Sequence, residues 1–254
     1  MEKEIIIIPD VHGRSAWRKA EQYAGKSDCK IVFLGDYHDP YPNEGILPDE
    51  SLKNFKEIVE FRKSADNIVT LLGNHDLGYL FKDICSSRRD YANGKEIATI
   101  FSENDSLFNL IYEEEQSGRK YSFSHSYVHK TWLELAVLDR ASESEIREHG
   151  IVEFINGLYH TKDGHFIENL GDVSFYRGGF GSFGSMVWSD VREAIDPAES
   201  WINPLNMDKP SLDGYYQIFG HTMLSRTYID NGFACLDVPG KIFKLSNGEI
   251  TELS

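Results

Sequence analysis

Side chains able to bind metal ions recur in short clusters along the 254-residue chain, and each cluster directly follows an apolar run. Carboxylate, imidazole and amide groups in one set suit manganese, iron or zinc. The clustered side chains are Asp10, His12, Asp36, Asn74, His75, His125 and His221. A carboxylate can bridge two divalent ions, and a pair roughly 3.5–4 Å apart can clamp the attacking and leaving oxygens of a phosphoryl displacement. The set therefore predicts a two-metal centre.

The apolar runs before these clusters predict the elements that position them. Residues 4–8, 30–34 and 68–72 are β-branched runs bounded by polar turns, which is typical of strands buried on both faces. Helical patterns at 15–24 and 50–65 lie between them, so the front of the chain reads β-α-β-α-β. Functional clefts of such sheets lie at the carboxyl ends of the strands, and we therefore expect the clusters to converge on one edge.

The rest of the chain predicts a helical stretch followed by a β-rich end. The pattern from about 77 to 118 is helical and amphipathic, and its acidic run, Glu113 to Glu115, is expected to be a solvated helix face. Residues 120–125 predict a short strand, and 129–158 predict helix. Further strands are predicted at 215–220, 226–230, 233–237 and 241–245, with a two-residue hairpin turn at Asn231-Gly232.

The same pattern predicts one domain spanning residues 1–254, with a helical insertion at about 77–118. No internal repeat, low-complexity tract or Pro/Gly/Ser-rich linker divides the sequence. The β-rich end is expected to form a second sheet that packs on the first.

Composition excludes several classes of protein. The chain has 41 acidic and 26 basic side chains and a formal charge of −15, which disfavours binding to duplex nucleic acid. No window approaches 18 consecutive apolar residues, so no membrane span is expected. The 3 cysteines are widely spaced and form no CxxC pair, which argues against a disulfide framework and favours a cytoplasmic location.

The ordered motifs resemble those of the calcineurin-like metallophosphoesterases, most closely the serine/threonine phosphoprotein phosphatase branch. They are DxHG at residues 10–13, GDxxD at 35–39, GNHD at 73–76, a strand-terminal His125 and GH at 220–221. The resemblance covers residues 10 to 222. It implies an α/β fold, an αββα sandwich of two mixed β-sheets flanked by helices. Met223 replaces the second histidine of the GHxH form, which favours the phosphoprotein phosphatase branch.

The resemblance also implies a role for each motif residue. Asp10 and His12 match ligands of a first metal, Asp36 matches the bridging carboxylate, and a hydroxide that bridges the metals would be the nucleophile. The side chains that match ligands of the second metal are Asn74, His125 and His221. His75 matches the general acid that protonates the leaving oxygen, and Asp39 matches the carboxylate that orients it. Two divalent ions are implied, with manganese expected first and iron or zinc also suitable.

One departure from the phosphatase pattern concerns substrate binding. That branch usually reads GDxxDRG, and its arginine holds the phosphate, whereas this chain continues from Asp39 with Pro40 and Tyr41. Another bidentate arginine is therefore needed. The candidates are Arg14, Arg177 and Arg192, and for any single one of them an ordinary surface position is the favoured alternative.

The leading hypothesis is an enzyme, a metal-dependent phosphohydrolase that acts on a phosphomonoester of a small molecule or a phosphoprotein. A second hypothesis is hydrolysis of a phosphodiester or pyrophosphate bond, as in a dinucleoside polyphosphate. A third is a metal-binding interaction module that has lost activity. The acidic charge opposes long polyanions, while two metal ions would make the core of the site locally positive and compatible with a phosphate.

Overall fold

Two mixed β-sheets packed face to face form the centre of the computed structural model, which describes residues 3–84, 86–138, 146, 149–195 and 212–253. The first sheet has six strands in the order β11-β10-β1-β2-β3-β4. They are β1 (Glu4–Ile8), β2 (Cys29–Phe33), β3 (Ile68–Leu71), β4 (Phe108–Asn109), β10 (Phe243–Ser246) and β11 (Glu249–Glu252). Strands β1 to β4 are parallel, while β10 pairs antiparallel with β1 and with β11.

The second sheet has five strands in the order β5-β6-β7-β9-β8. They are β5 (Ile111–Gln116), β6 (Arg119–Ser124), β7 (Tyr215–Phe219), β8 (Tyr228–Ile229) and β9 (Phe233–Cys235). Strands β6, β7 and β9 are parallel, and the outer strands β5 and β8 are antiparallel to their neighbours. Both sheets therefore present the carboxyl ends of several parallel strands.

Strand β1 shows why the front of the chain is apolar at every position. Ile5 and Ile7 pack in the core between the two sheets, whereas Ile6 and Ile8 pack against the helical layer. All four side chains are buried, and full burial of each contributes roughly 1.5–3 kcal/mol. A strand covered on both faces has no polar side, so a continuous apolar run is required.

Helices cover the outer faces of the sandwich. Helix α1 (Pro48–Lys63) begins with proline in its first turn, and the Glu50 carboxylate accepts a hydrogen bond from the backbone N–H of Leu47. The other helices are α2 (Asn74–Leu80), α3 (Gly94–Glu103), α4 (Lys130–Leu133, continued as a π-helical turn Glu134–Leu138), α5 (Ile151–His160), α6 (Gly164–Leu170) and α7 (Val191–Ile195). The pattern at 15–24 forms a 3-10 helix, Ala16–Tyr23. The two mixed sheets and flanking helices confirm the predicted sandwich architecture.

The helical prediction for 77–118 is wrong for the described residues between 81 and 93 and over its last third. Residues 74–80 and 94–103 are helical, but β4 and β5 follow, so the run from Glu113 to Glu115 lies on an edge strand. Ser117 and Gly118, both with positive φ, turn the chain into β6, and this pairing outweighs the helix propensity of glutamate. At this edge Glu113 and Glu115 are exposed and Glu114 is half-buried, and charged side chains on an edge strand hinder its pairing with other chains.

The C-terminal end follows the prediction with small differences. Asn231 and Gly232 connect β8 to β9, and the backbone N–H of Asp230 donates to the carbonyl oxygen of Phe233, which confirms the hairpin. Strand β8 is shorter than predicted, and β11 was not predicted. Part of the predicted helix at 129–158 lies outside the described residues. Among the described residues, no helix is both long enough and apolar enough to cross a membrane.

Candidate metal centre

The structure brings the predicted ligand residues together at one edge of the sandwich. Asp10 and His12 follow β1, Asp36 follows β2, His125 follows β6 and His221 follows β7. Asn74 and His75 form the first turn of α2, directly after β3 and Gly73. All of these side chains are buried. Their burial is notable because isolated polar groups away from water are costly unless they bind a partner or a metal.

Tight backbone geometry explains why glycine occurs in these motifs. A Cβ atom on Gly35 would stand 2.4 Å from the backbone nitrogen of Gly73, and one on Gly220 would stand 2.2 Å from Oδ1 of Asp10. Several non-glycine residues of the site have φ in the left-handed region: His12 at 44°, Asp36 at 52°, Asp39 at 59° and His221 at 62°. Such strain persists where the surrounding structure imposes it, and it concentrates at functional sites.

The protonated nitrogen of His12 is fixed by its backbone partner. Nδ1 of His12 lies 2.9 Å from the carbonyl oxygen of His38, which can only accept, so Nδ1 carries the proton. The lone pair of Nε2 is then directed at carboxylates, with Oδ2 of Asp36 at 3.5 Å and Oδ2 of Asp10 at 3.9 Å. An imidazole lone pair facing two carboxylates is unfavourable unless a cation lies between them.

His125 repeats this arrangement on the other side of Asp36. Its Nδ1 donates to the carbonyl oxygen of Leu34 at 2.9 Å, so Nδ1 carries a proton. Its Nε2 lies 3.0 Å from Oδ1 of Asn74, 3.1 Å from Nδ1 of His221 and 3.6 Å from Oδ2 of Asp36. The same carboxylate oxygen of Asp36 thus lies 3.5 Å from Nε2 of His12 and 3.6 Å from Nε2 of His125, a placement that a ligand shared by two ions would require.

The donor chemistry fits two cations that share Asp36. Ligand atoms of Asp10, Asp36 and His125 lie within 4.8 Å of one another, as do those of His12, Asp36 and His75. Burial lowers the pKa of His12, which keeps it a neutral ligand, and raises the pKa of Asp36, which therefore needs a nearby cation to be charged. A metal ion between such groups supplies that charge.

His75 differs from His12 and His125 in the partner of its Nδ1, which is a side-chain carboxylate and not a backbone carbonyl oxygen. Nδ1 lies 2.7 Å from Oδ2 of Asp39, and this carboxylate also accepts from the hydroxyl of Tyr79 and, at 3.2 Å, from the backbone N–H of Asp90. Burial raises the pKa of Asp39 to about 6. The ring of His75 is therefore held by a fully engaged carboxylate, and its Nε2 faces the cleft.

Asp76, the last residue of GNHD, ties two of the site loops together. Its carboxylate accepts from the backbone N–H groups of Asp36 at 2.7 Å, Gly73 at 2.8 Å and Tyr37 at 3.1 Å. Asp76 belongs to the GNHD motif, but its hydrogen bonds to the backbone of the loop at 36–37 could not be predicted from the spacing of the motifs.

A cleft of about 440 Å³ opens over these residues. Its walls include most of the predicted site residues, together with aromatic rings and two arginines; those predicted residues are His12, Asp36, Asn74, His75 and His221. The lining outside the predicted ligands is Tyr41, Ser87, Arg88, Tyr176, Arg177 and Trp188.

The three arginines predicted to bind substrate occupy different places. Arg177 lines the cleft, where its Nε donates to Nε2 of His221 at 3.0 Å and its Nη2 donates to the carbonyl oxygen of that residue at 2.7 Å. Arg14 is paired with Glu44, with Nη2 2.7 Å from Oε1. Arg192 is paired with Asp190, with Nε 2.7 Å from Oδ1, and neither of these two lines the cleft. Arg88 does line it, but no motif marked that residue.

Two packed mixed sheets with a histidine–carboxylate cluster at their strand ends define a class of metal-dependent α/β protein. The chain belongs to the calcineurin-like phosphoesterase family, whose model matches residues 3–225. This confirms the resemblance inferred from the ordered motifs.

Solved structures similar to this chain include two from named organisms. A protein serine/threonine phosphatase from Saccharomyces cerevisiae, with similarity to human phosphatase PP5, is 15% identical, with a TM-score of 0.49 and coverage of 99% of this chain and 79% of that chain. A metallophosphoesterase from Sphaerobacter thermophilus is 23% identical, with a TM-score of 0.29 and coverage of 54% and 55%. An archaeal phosphodiesterase is 13% identical, with a TM-score of 0.37 and coverage of 98% of both chains. No curated protein matches the chain.

Proposed function

We propose that the protein is a metal-dependent phosphohydrolase that cleaves a phosphomonoester, carried by a small molecule or by a phosphoprotein. The observation that carries this proposal is the pairing of His75 with Asp39 at 2.7 Å beside the ligand cluster. His75 lines the cleft, and its carboxylate partner holds the ring in the fixed orientation that a general acid needs. That pairing supports an enzyme over an inactive interaction module.

The proposed ligands divide into two groups around Asp36. Asp10 and His12 would hold one ion, and Asp36 would bridge it to the other. The remaining ligands of the second ion would be Asn74, His125 and His221. When bound, two divalent cations, manganese in the first place and iron or zinc as alternatives, would neutralise the charge that develops on the phosphoryl oxygens.

His75 would act as the general acid. Asp39 accepts a hydrogen bond from the N–H of Nδ1 and so would fix the ring with Nε2 toward the leaving oxygen. The same carboxylate stabilises the imidazolium from which a proton is given up. Tyr79 and the backbone N–H of Asp90 hold Asp39 from its other oxygen, so the acid is oriented by a fixed group.

Of the three arginines predicted to bind substrate, we favour Arg177, because it lines the cleft and the other two do not. The acidic charge of the chain supports a small or protein-borne phosphate over a long polyanion.

The chain would act as a single domain, since β10 near its C-terminal end pairs with β1 beside the site. Two buried free thiols, Cys29 and Cys235, support a reducing, cytoplasmic setting.

The proposal is tested by turnover of three substrates with manganese present: p-nitrophenyl phosphate, its bis-ester and a dinucleoside tetraphosphate. We expect the monoester to be cleaved fastest. Rapid cleavage of the bis-ester or the tetraphosphate with a silent monoester would replace the proposal with a phosphodiesterase or pyrophosphohydrolase. If none of the three substrates is turned over although manganese is bound, the protein would instead be interpreted as an inactive metal-binding interaction module.

A further inference from the structure

Arg88 lies at the mouth of the site although it belongs to none of the motifs. It is located between α2 and α3, and its Cζ lies 3.8 Å from the ring centroid of Tyr41. Its Nη2 lies 3.3 Å from Nε2 of His75 and 3.5 Å from Nε2 of His12. The guanidinium is thus stacked on an aromatic ring while one edge faces the proposed acid and a proposed ligand.

The hydrogen-bonding capacity of this guanidinium is mostly unused. Nε of Arg88 is buried and has no hydrogen-bond partner among the described residues. Its Nη2 faces only imidazole nitrogens, which are neutral and weak acceptors compared with an anionic oxygen. By contrast, the guanidinium groups of Arg14 and Arg192 are each paired with a carboxylate. Arg88 is therefore a cleft cation whose donors remain available to an incoming anion.

The segment that carries Arg88 is fixed to the acid pair. Two residues later, the backbone N–H of Asp90 donates to Oδ1 of Asp39 at 3.2 Å and to the hydroxyl of Tyr79 at 2.8 Å. The carboxylate of Asp90 also lies 3.1 Å from Nε2 of His38. Arg88 itself has a φ of 57°, a left-handed conformation that is uncommon for arginine. Backbone strain held by such contacts is a feature of functional positions.

The platform under Arg88 comes from the loop that lacks the expected arginine. Tyr41 lies two residues after Asp39, next to Pro40, which stands where the related loops carry arginine. We propose that Arg88, placed over the ring of Tyr41, is the residue that binds the phosphoryl group of the substrate, and that it replaces the arginine missing after Asp39. The proposal rests on the proposed function and names a further substrate-binding residue for it. A planar guanidinium can give two parallel hydrogen bonds to phosphoryl oxygens, which an ammonium cannot.

The experiment compares the parent protein with Arg88→Ala, Arg88→Lys, Tyr41→Phe and Tyr41→Leu in the presence of manganese. Arg119→Ala is the matched control, because Arg119 also stacks on a tyrosine, with its Cζ 4.2 Å from the ring of Tyr216, but lies at the start of β6, away from the site edge. The measurements are KM and kcat for p-nitrophenyl phosphate, the Kd of inorganic phosphate by calorimetry, the number and affinity of bound manganese ions, and the melting temperature.

We expect Arg88→Ala to raise the KM and the phosphate Kd by about 10- to 100-fold, with manganese binding unchanged. Arg88→Lys should restore only part of this loss. Tyr41→Leu removes the ring under the guanidinium and should weaken phosphate binding more than Tyr41→Phe, which keeps the ring. The double variant Tyr41→Leu/Arg88→Ala should be no worse than Arg88→Ala alone, since the ring acts through the guanidinium.

Failure of this inference is distinguishable from failure of the proposed function. If the parent hydrolyses the ester but Arg88→Ala matches it in KM and phosphate Kd, the role of Arg88 is wrong and hydrolysis stands. If the parent hydrolyses no phosphoester but binds phosphate in an Arg88-dependent way, the binding role stands and hydrolysis is wrong. A parent that neither hydrolyses nor binds phosphate overturns both. An Arg119→Ala variant as impaired as Arg88→Ala, or a loss explained by a lower melting temperature, also overturns the role of Arg88.

Discussion

A Cβ atom on Gly73 would stand 2.1 Å from Oδ1 of Asp36 and 2.7 Å from Cε1 of His125. The backbone between β3 and α2 therefore lies so close to the proposed bridging carboxylate that only glycine fits at position 73. This contact joins two motifs that are far apart in sequence, GD and GNHD, and it positions Asn74 and His75 against Asp36, whose Oδ1 accepts from the backbone N–H of His75 at 3.0 Å.

We predict that Gly73→Ala weakens manganese binding and lowers the free energy of unfolding by about 1–3 kcal/mol, because Asp36 and its neighbours must shift. Titration calorimetry and urea denaturation measure the two effects. Gly157→Ala is the matched control: Gly157 is exposed in α5, and its Cβ would meet nothing within 4 Å. That change should leave metal binding intact and stabilise the helix by about 0.4–1 kcal/mol. Equal metal binding by Gly73→Ala and the parent would contradict the close approach.

Manganese should raise the melting temperature of the parent, since ions that bind only the folded state stabilise it by about 2.7 kcal/mol per site at 100 times the Kd. In Asp36→Asn this response should be largely lost, because one carboxylate oxygen of Asp36 lies within 3.6 Å of Nε2 of both His12 and His125. Asp28→Asn, at an exposed position, serves as the control and should respond like the parent. A full manganese response in Asp36→Asn would argue against the bridging role.

His129 provides a prediction of pH-dependent stability outside the metal centre. Burial lowers the pKa of His129 to about 4, its ring stacks on Phe183 at 3.8 Å, and its Nδ1 accepts from the backbone N–H of Thr131. The unfolded chain binds the proton near its ordinary pKa of 6.5, so stability is fully present above that value and is lost as the pH falls toward 4. A shift of this size corresponds to about 3 kcal/mol.

The measurement is urea denaturation at a series of pH values between about 7 and 4. His129→Asn can still cap α4 but does not titrate, so its free energy of unfolding should fall about 3 kcal/mol less than that of the parent over this interval. Parallel pH profiles for the two proteins would show that this histidine is not held neutral.

Much of the site was predictable because its residues follow apolar runs. The strands before Asp10, Asp36 and His125 needed only periodicity to be found, and parallel strands place their carboxyl ends together. The edge strand β5 was missed because its glutamates favour a helix locally, while pairing with β6 decides the outcome. Position in the sheet is a tertiary property that the local pattern does not contain.

The arginines show the same limit more sharply. Arg14 and Arg192 are near motifs in sequence, but Glu44 and Asp190 pair with them, and sequence distance carries no information on such partners. Arg88 reaches the cleft from a segment with no motif, because contacts of Asp90 with Asp39 fix that segment. Candidate ligands that directly follow strands can be predicted from the sequence, whereas groups delivered by loops depend on the contacts of the folded chain.

The central claim, that His75 is the general acid held by Asp39, is tested most directly with His75→Asn and two substrates. An alkyl phosphate needs a proton on its leaving oxygen, whereas p-nitrophenolate departs without one. We predict that His75→Asn lowers kcat for the alkyl phosphate by about 10²–10⁴-fold, lowers it much less for p-nitrophenyl phosphate, and still binds two manganese ions. An equal loss on both substrates, or the loss of one manganese ion, would contradict the claim and would make His75 a metal ligand.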